Sequence, residues 1–361
     1  MIARVSGRKR IDVVVPSYRY NDGISFDALV CRNALRDLGF ESDLYADFEH
    51  SAPEVRDIAR PHTDLAKKGN APDAILYHYS TLSPTTELLR QTRIPLLLRY
   101  HNITPPQFFE DFSPQTAARL EQAREELVTL REQTVLGVCP SRYNCLELEQ
   151  YGFSRTAVVP NFCRLHSPVD WSPPKESVRI LFVGRLVPNK CQHELVKVAS
   201  LLTEEFDIPT EVVLAGNTGD CSPYASLVRS LAQSSPARVF IPGEFPQDEN
   251  VYRGSHIYLS LSEHEGFGMP LVEAMACGVP VIAYAAAAVP EVVDTGGLLF
   301  SPKNLVEVAA LIHSLVAHPS RLSALRRAGL ERARVFSHES IKKTFGEVLR
   351  TVGLESKSHY E

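Results

Sequence analysis

The 361-residue chain has no Asp-x-Asp, no Cys-x-x-Cys, and no Gly-x-Gly-x-x-Gly after its first apolar run, "VVVPSYRYNDG". The first absence removes the usual acidic pair that holds a metal on a diphosphate. The second leaves seven cysteines, odd in number and scattered, that suggest neither a disulfide framework nor a zinc site. A reducing, cytoplasmic setting is therefore expected. The third argues against a nicotinamide dehydrogenase, whose pyrophosphate needs that glycine turn. Charge of one sign is also lacking: the formal net charge is −5, which gives no electrostatic reason to expect nucleic acid as a partner. Long hydrophobic runs are missing as well. The longest uncharged stretch, Ala274 to Pro290, is broken by Gly278 and Pro280 and falls short of the ~20 apolar residues of a membrane span. No apolar stretch of signal-peptide type follows the basic N-terminus before Asp12.

What is present is alternation. Short aliphatic runs, "IDVVV", "DLYA", "AILYHY", "PLLLRYH", "TVLGV" and "AVVP", are separated by helical patterns through residue 160. After "DWSPPKES", Asp170 to Ser177, a linker by its prolines and polar residues, the series restarts with "RILFVG", "EVVLAG", "RVFIPG", "IYLSL", "PVIAY" and "GLLF". Three helical patterns follow, at 303–317, 319–335 and 338–353. Near-continuous apolar strands between helices belong to parallel sheets covered on both faces. The expected fold class is α/β, with two Rossmann-like domains facing a central cleft, and ligands at the carboxyl ends of the strands.

Two stretches sit where that rule points. In "SEHEGFGMPLVEAMACGVP", Gly266 and Gly268 bend the chain before Pro270 opens a helix, with Glu265 in the turn and Glu273 one turn into the helix. Free amides at such a helix start attract an anion, and carboxylates accept hydrogen bonds from vicinal hydroxyls. On spacing alone Glu273 is equally a first-turn glutamate that favours the helix dipole, and Glu265 a solvated loop residue. In "GRLVPNK", Arg185 and Lys190 follow a strand and can supply fixed positive charge to a leaving phosphate. Gly23, in "NDGIS", can bring amides near a phosphate or serve an ordinary turn.

"EGFGMPLVE", then "AMACGVPVIA" and "AVPEVV", with "FVGRLVPNK" about 80 residues earlier, closely resembles the E-x7-E region of family 4 glycosyltransferases, retaining enzymes of the GT-B fold. The resemblance implies domains at 1–170 and 171–338, with residues 339–361 forming a helix that returns to the first. It implies that Arg185 and Lys190 grip the diphosphate, Glu265 binds donor-sugar hydroxyls, and Glu273 holds the ribose. The amides around Phe267, Gly268 and Met269 would take the sugar and β-phosphate. His101, in "RYHNITPP", would contact the donor sugar's 6-hydroxyl. His78 and Ser80 in "YHYS", Ser141 and Arg142 in "CPSRYN", and Asn161 in "VPNF" are acceptor-side or structural candidates at strand ends, while Glu291 starts a short helix after "PVIAY" that it can cap. The family's lysine is often followed by glycine, where this chain has Cys191.

Retaining, metal-independent transfer of a hexosyl unit is thus implied, with no cofactor beyond a nucleotide-diphosphate sugar donor such as GDP-mannose or a UDP-hexose. The leaving phosphate itself would help deprotonate the acceptor hydroxyl. The "YHYS" and "YHNITPP" segments look like those of bacterial enzymes of surface-polysaccharide synthesis. That implies a sugar or lipid-linked sugar acceptor, and leaves room for peripheral association with the inner face of a membrane. Two rivals stay open: a sugar-nucleotide epimerase of the same fold, and a non-catalytic sugar-nucleotide-binding protein.

Overall fold

The structure is a computed structural model that describes residues 9–66, 71–218, 221–244 and 248–355. The ends of the expected first domain and final helix, 1–8 and 356–361, lie outside those residues. The chain divides into two compact units. The first comprises the described parts of Met1–Ile103, Arg119–Cys163 and His338–Glu361, the second Thr104–Ala118 and Arg164–Ser337.

The first unit holds strands β1 (Ile11–Val15), β2 (Leu44–Ala46), β3 (Arg60–Pro61), β4 (Ala74–Tyr79), β5 (Leu96–Tyr100), β6 (Thr134–Cys139) and β7 (Thr156–Val158). They form one sheet in the order β3-β2-β1-β4-β5-β6-β7, every pair parallel. The helices α1 (Gly23–Asp37), α2 (Pro84–Thr92), α3 (Pro114–Thr129) and α4 (Arg142–Gln150) connect them. Every residue of β1, β4 and β5 is buried, which is why these strands read as continuous apolar runs. Tyr77, Tyr79, Leu89, Leu96, Leu98 and Leu127 meet in the core on one face. The two-residue strand β3 is too short to leave a pattern in the sequence.

In the second unit β8 (Val178–Val183), β9 (Thr210–Ala215), β10 (Arg238–Gly243), β11 (Ile257–Ser260), β12 (Val281–Tyr284) and β13 (Leu298–Phe300) follow. Their order is β10-β9-β8-β11-β12-β13, again all parallel. Helices α5 (Gln192–Glu204), α6 (Ser222–Ser234), α7 (Met269–Ala276), α8 (Val289–Val293), α9 (Leu305–Ala317) and α10 (Pro319–Ala333) cover it. Both sheets reverse their strand order once, between β1 and β4 and between β8 and β11, and such switch points open a crevice at the strands' carboxyl ends.

The chain passes from one unit to the other at Cys163–Arg164, ahead of the proline-rich stretch that composition marks as a linker. That stretch is tied down instead: the Val169 N–H donates to Cys277 O at 2.9 Å and Trp171 Nε1 to His256 O at 3.1 Å. Composition reports where helix and strand are impossible, not where contacts cease. The last helix, α11 (His338–Thr351), counts with the first unit and buries Ile341, Phe345 and Leu349.

Candidate functional site

In the second unit, the strands flanking the switch point carry both motifs. β8 runs into Gly184 and Arg185, and β11 into the turn that precedes α7. Gly184 and Gly216 let the chain leave β8: a Cβ on Gly216 would stand 2.1 Å from Gly184 O, so only glycine fits there. The Arg185 carbonyl accepts from Gln192 Nε2 at 2.7 Å, while its side chain stays exposed. A single 3-10 turn, Pro188–Lys190, ends on Cys191, whose φ of 53° is left-handed. Cys191 thus takes a backbone conformation that glycine adopts freely, at a conformational cost of about 1 kcal/mol. Its Sγ donates to Pro188 O at 3.5 Å.

The two loops are fastened together. Buried Asn189 donates from Nδ2 to His264 O at 3.0 Å and accepts at its backbone carbonyl from the Glu263 N–H at 2.9 Å. The Glu265 carbonyl accepts from the Ala288 N–H at 3.2 Å. The Lys190 ammonium accordingly meets Glu265 Oε2 at 2.5 Å, with side-chain exposures of 18% and 14%. One of the paired glutamates thus neutralises the lysine expected to grip a phosphate. Gly268 caps α7 in the left-handed region, φ 85°, and a Cβ there would also come within 2.7 Å of Leu271 Cδ1. The start of α7 adjoins Glu265, whose Cγ would lie 3.8 Å from a Cβ on Gly268, and Phe267 is buried edge-on against Phe336.

Glu273 is partly buried within α7 and accepts from the Tyr252 hydroxyl at 2.9 Å. Burial pushes its carboxyl up, against the opposing pull of Tyr252 and Arg164. Close by, Lys303 lies between Glu194 Oε2 (2.7 Å) and Glu263 Oε1 (2.5 Å), so an ammonium occupies the Cys191–Glu194–Glu263 group of potential metal ligands. Neither Tyr252 nor Lys303 was readable beforehand, since each is separated from its partner by a stretch of unrelated sequence.

In the first unit, β4 and β5 bring His78 and His101 together: His78 Nδ1 lies 2.9 Å from His101 Nε2. Asp27 Oδ2 of α1 is 3.7 Å from the former nitrogen and 3.8 Å from the latter. Asp27 itself is held by Arg99 Nε at 2.9 Å, Arg99 Nη2 at 3.2 Å and the Phe162 N–H at 2.7 Å. Asp27 and Arg99 escaped the sequence reading, although an arginine inside "LLLRY" signals a charge that must find a buried partner. Asn161 Oδ1 accepts from Arg99 Nη2 at 2.9 Å. His101 is followed by Asn102 at φ 73°, left-handed, whose Nδ2 donates to Asn144 Oδ1 at 3.0 Å.

The remaining candidates take local roles. Gly23 begins α1 beneath the Asp22 cap, whose carboxylate accepts from the Ser25 N–H at 2.8 Å. Ser141 is fully buried and caps α4, accepting from the Asn144 N–H at 3.3 Å. Arg142 is exposed and bonds Glu149 through both guanidinium ends, at 2.6 and 3.0 Å. His78, 0% exposed, reaches His101 rather than solvent. Ser80 lies just past β4, half-buried, and Glu291 lies exposed in α8.

Burial dominates both rings, lowering His101 from 6.5 to about 4 and His78 well below its usual value. Above pH 6.5 folded and unfolded chains both carry neutral rings. Between there and pH 4 only the unfolded chain takes up the proton, so stability must fall as pH falls. For His101 alone the loss by pH 4 is about 3 kcal/mol. Asp27, whose pKa is lowered on balance although burial opposes this, acts only below the window. Urea titrations from pH 7 to 4 should therefore show a slope that His101→Asn reduces by about one proton. A slope unchanged by the substitution would mean the ring is protonated in the folded protein.

Residues 167–346 match the family model described as "Glycosyl transferases group 1". Among curated relatives, D-inositol 3-phosphate glycosyltransferase from Rhodococcus jostii is 33% identical over 174 residues, 46% of this chain and 38% of that protein. O-antigen chain mannosyltransferase B from Escherichia coli is 29% identical over 163 residues, 44% of this chain and 42% of that one. The chain thus spans about two fifths of the length of these relatives. Among solved structures, Anabaena HepE in complex with UDP-glucose superposes with a TM-score of 0.72 at 17% identity, covering 94% of this chain and 99% of that one. The fold is accordingly two parallel-sheet Rossmann-like domains of the GT-B kind.

Proposed function

We propose that this chain is a retaining glycosyltransferase that moves a hexosyl unit, mannosyl or glucosyl, from a nucleotide-diphosphate sugar to a hydroxyl acceptor. What supports this reading is the ion pair between Lys190, on the loop after β8, and Glu265, on the loop after β11, the strands flanking a switch point, with Arg185 exposed on the first loop and Glu273 within α7. A purely structural ion pair would explain Lys190 with Glu265; the transferase reading also gives a role to the exposed Arg185 on the same loop. In this reading the cations and amides take the diphosphate charge that a metal would otherwise hold, and no cofactor is required.

Glu265 turns from Lys190 to donor-sugar hydroxyls, and Glu273 accepts from the ribose. Departing phosphate oxygen takes the acceptor proton on the same face of the sugar, which preserves the anomeric configuration. The matches to an inositol-phosphate glycosyltransferase and an O-antigen mannosyltransferase support a polar sugar or lipid-linked sugar acceptor in bacterial polysaccharide or glycolipid synthesis. Among the described residues no helix is long and apolar enough to cross a membrane. We place the reaction in the cytoplasm, with peripheral docking at the inner membrane face when the acceptor is lipid-linked.

Calorimetric titration tests the division of roles. Glu273→Ala should weaken binding of the bare nucleoside diphosphate by about tenfold, the size of one lost hydrogen bond to a charged group. Glu265→Ala should leave that affinity within about twofold and depress transfer from the full donor. Equal loss of nucleotide affinity in the two variants would overturn the assignment. Conversion of the donor to its epimer in the absence of acceptor would favour a sugar-nucleotide epimerase instead.

A further inference from the structure

The histidine pair is more tightly specified than contact with a sugar requires. The rings lie 5.0 Å apart and 25° from parallel, and the backbone N–H of His101 donates to the Tyr79 carbonyl at 2.9 Å. With Nδ1 of His78 on Nε2 of His101, the outer nitrogens, His78 Nε2 and His101 Nδ1, are buried and have no hydrogen-bond partner among the described residues. Two neutral imidazoles joined by one N···N hydrogen bond share a single inner proton. The geometry then couples their tautomers. If His78 Nδ1 carries the inner proton, the remaining N–H is on His101 Nδ1. If His101 Nε2 carries it, the remaining N–H is on His78 Nε2.

The two arrangements differ in where they leave an unpaired donor. Both outer nitrogens are buried, so either arrangement leaves one N–H without an acceptor among the described residues; they differ in what can reach it, since His78 is 0% exposed and lies within β4. The His101 side chain, 3% exposed, stands just past the end of β5, where strand-end loops receive ligands. An N–H there can find an oxygen once a ligand binds. Asp27 Oδ2, 3.7 and 3.8 Å from the two inner nitrogens, favours a proton between the rings in either arrangement. It does not choose the direction.

We propose that His78 is a positioning residue that donates from Nδ1 to His101 Nε2 and thereby fixes His101 as the neutral tautomer with its proton on Nδ1. His101 then acts as a hydrogen-bond donor to a hydroxyl or phosphate oxygen, not as a base. The lowered proton affinity of both rings agrees with two neutral imidazoles. Only the activity arm of the test rests on the transferase reading; the tautomer does not.

With 15N-histidine incorporated in the full chain, two-bond 1H–15N spectra distinguish protonated from bare ring nitrogens. The ligand-free protein should show His101 protonated at Nδ1 and bare at Nε2, with His78 protonated at Nδ1. His78→Asn, whose amide N–H falls near the position of Nδ1, should keep the His101 pattern and transfer within about threefold of wild type. His78→Leu should mix the tautomers and lower kcat by about tenfold, with the donor KM changed less. A wild-type spectrum with His101 protonated at Nε2 overturns the proposal outright. So does a His101 spectrum that His78→Leu leaves unchanged. If no nucleotide sugar supports transfer, the functional reading fails and the spectra still decide the tautomer. If His78→Leu does not fold, the wild-type spectrum decides alone.

Discussion

Alanine at position 190 is expected to slow sugar transfer by roughly 30- to 1,000-fold, the about 2 to 4 kcal/mol lost with one preorganised charge at a developing anion. The Lys190 ammonium lies 2.5 Å from Glu265, so protein groups hold its charge in place. Preorganisation of that kind reduces reorganisation during reaction. Arg185→Ala should act in the same direction, since its exposed guanidinium has the freedom to close on the diphosphate. Neither change should cost much stability: an ion pair so near the surface contributes about 1 kcal/mol or less. Single-turnover rates alongside thermal midpoints make the comparison. Wild-type turnover in both variants would remove the phosphate clamp from the mechanism.

The sequence displayed most of this second-unit site because its parts are local. Gly268, Pro270 and Glu273 stand within one turn and helix, and "GRLVPNK" is one loop, so spacing alone orders them. The ion pair between Lys190 and Glu265 was not legible, because it depends on β8 and β11 being neighbours although two strands and their helices separate them along the chain. The same holds for Asn189, whose side chain fastens one loop to the other. Turn chemistry was legible in kind but not in identity: glycine is the expected residue after Lys190, and a buried cysteine adopts the required left-handed backbone. In the first unit the strands were visible as apolar runs, while His78 read equally as an acceptor-side or a structural residue. Parallel pairing of β4 with β5 buries it on His101, and periodicity carries no information on which strand ends meet.

Replacing Arg99 by methionine should destabilise the first unit by about 3 to 5 kcal/mol, the range for removing one partner of a buried ion pair. Arg99 is the penultimate residue of β5, with 1% exposure. It donates twice to Asp27, and also to Val159 O at 2.5 Å, Pro160 O at 2.9 Å and Asn161 Oδ1 at 2.9 Å. Methionine fills most of the volume but leaves the Asp27 carboxylate buried beside the Phe162 N–H and two neutral imidazoles. Asp27→Leu should cost a similar amount by stranding the guanidinium. The double variant should be less destabilised than the sum of the two, because no uncompensated charge then remains. Full recovery is not expected, since the Val159 and Pro160 carbonyls still lose a donor. Urea unfolding of the four proteins at pH 7 measures the coupling. Additive losses, or a single Arg99→Met loss below about 1 kcal/mol, would show that the pair does not stabilise the fold. A strong coupling would instead explain why a charged cluster sits beneath the strand ends: it fixes the Asn161 turn and the Asp27 anion around which the two histidines are set.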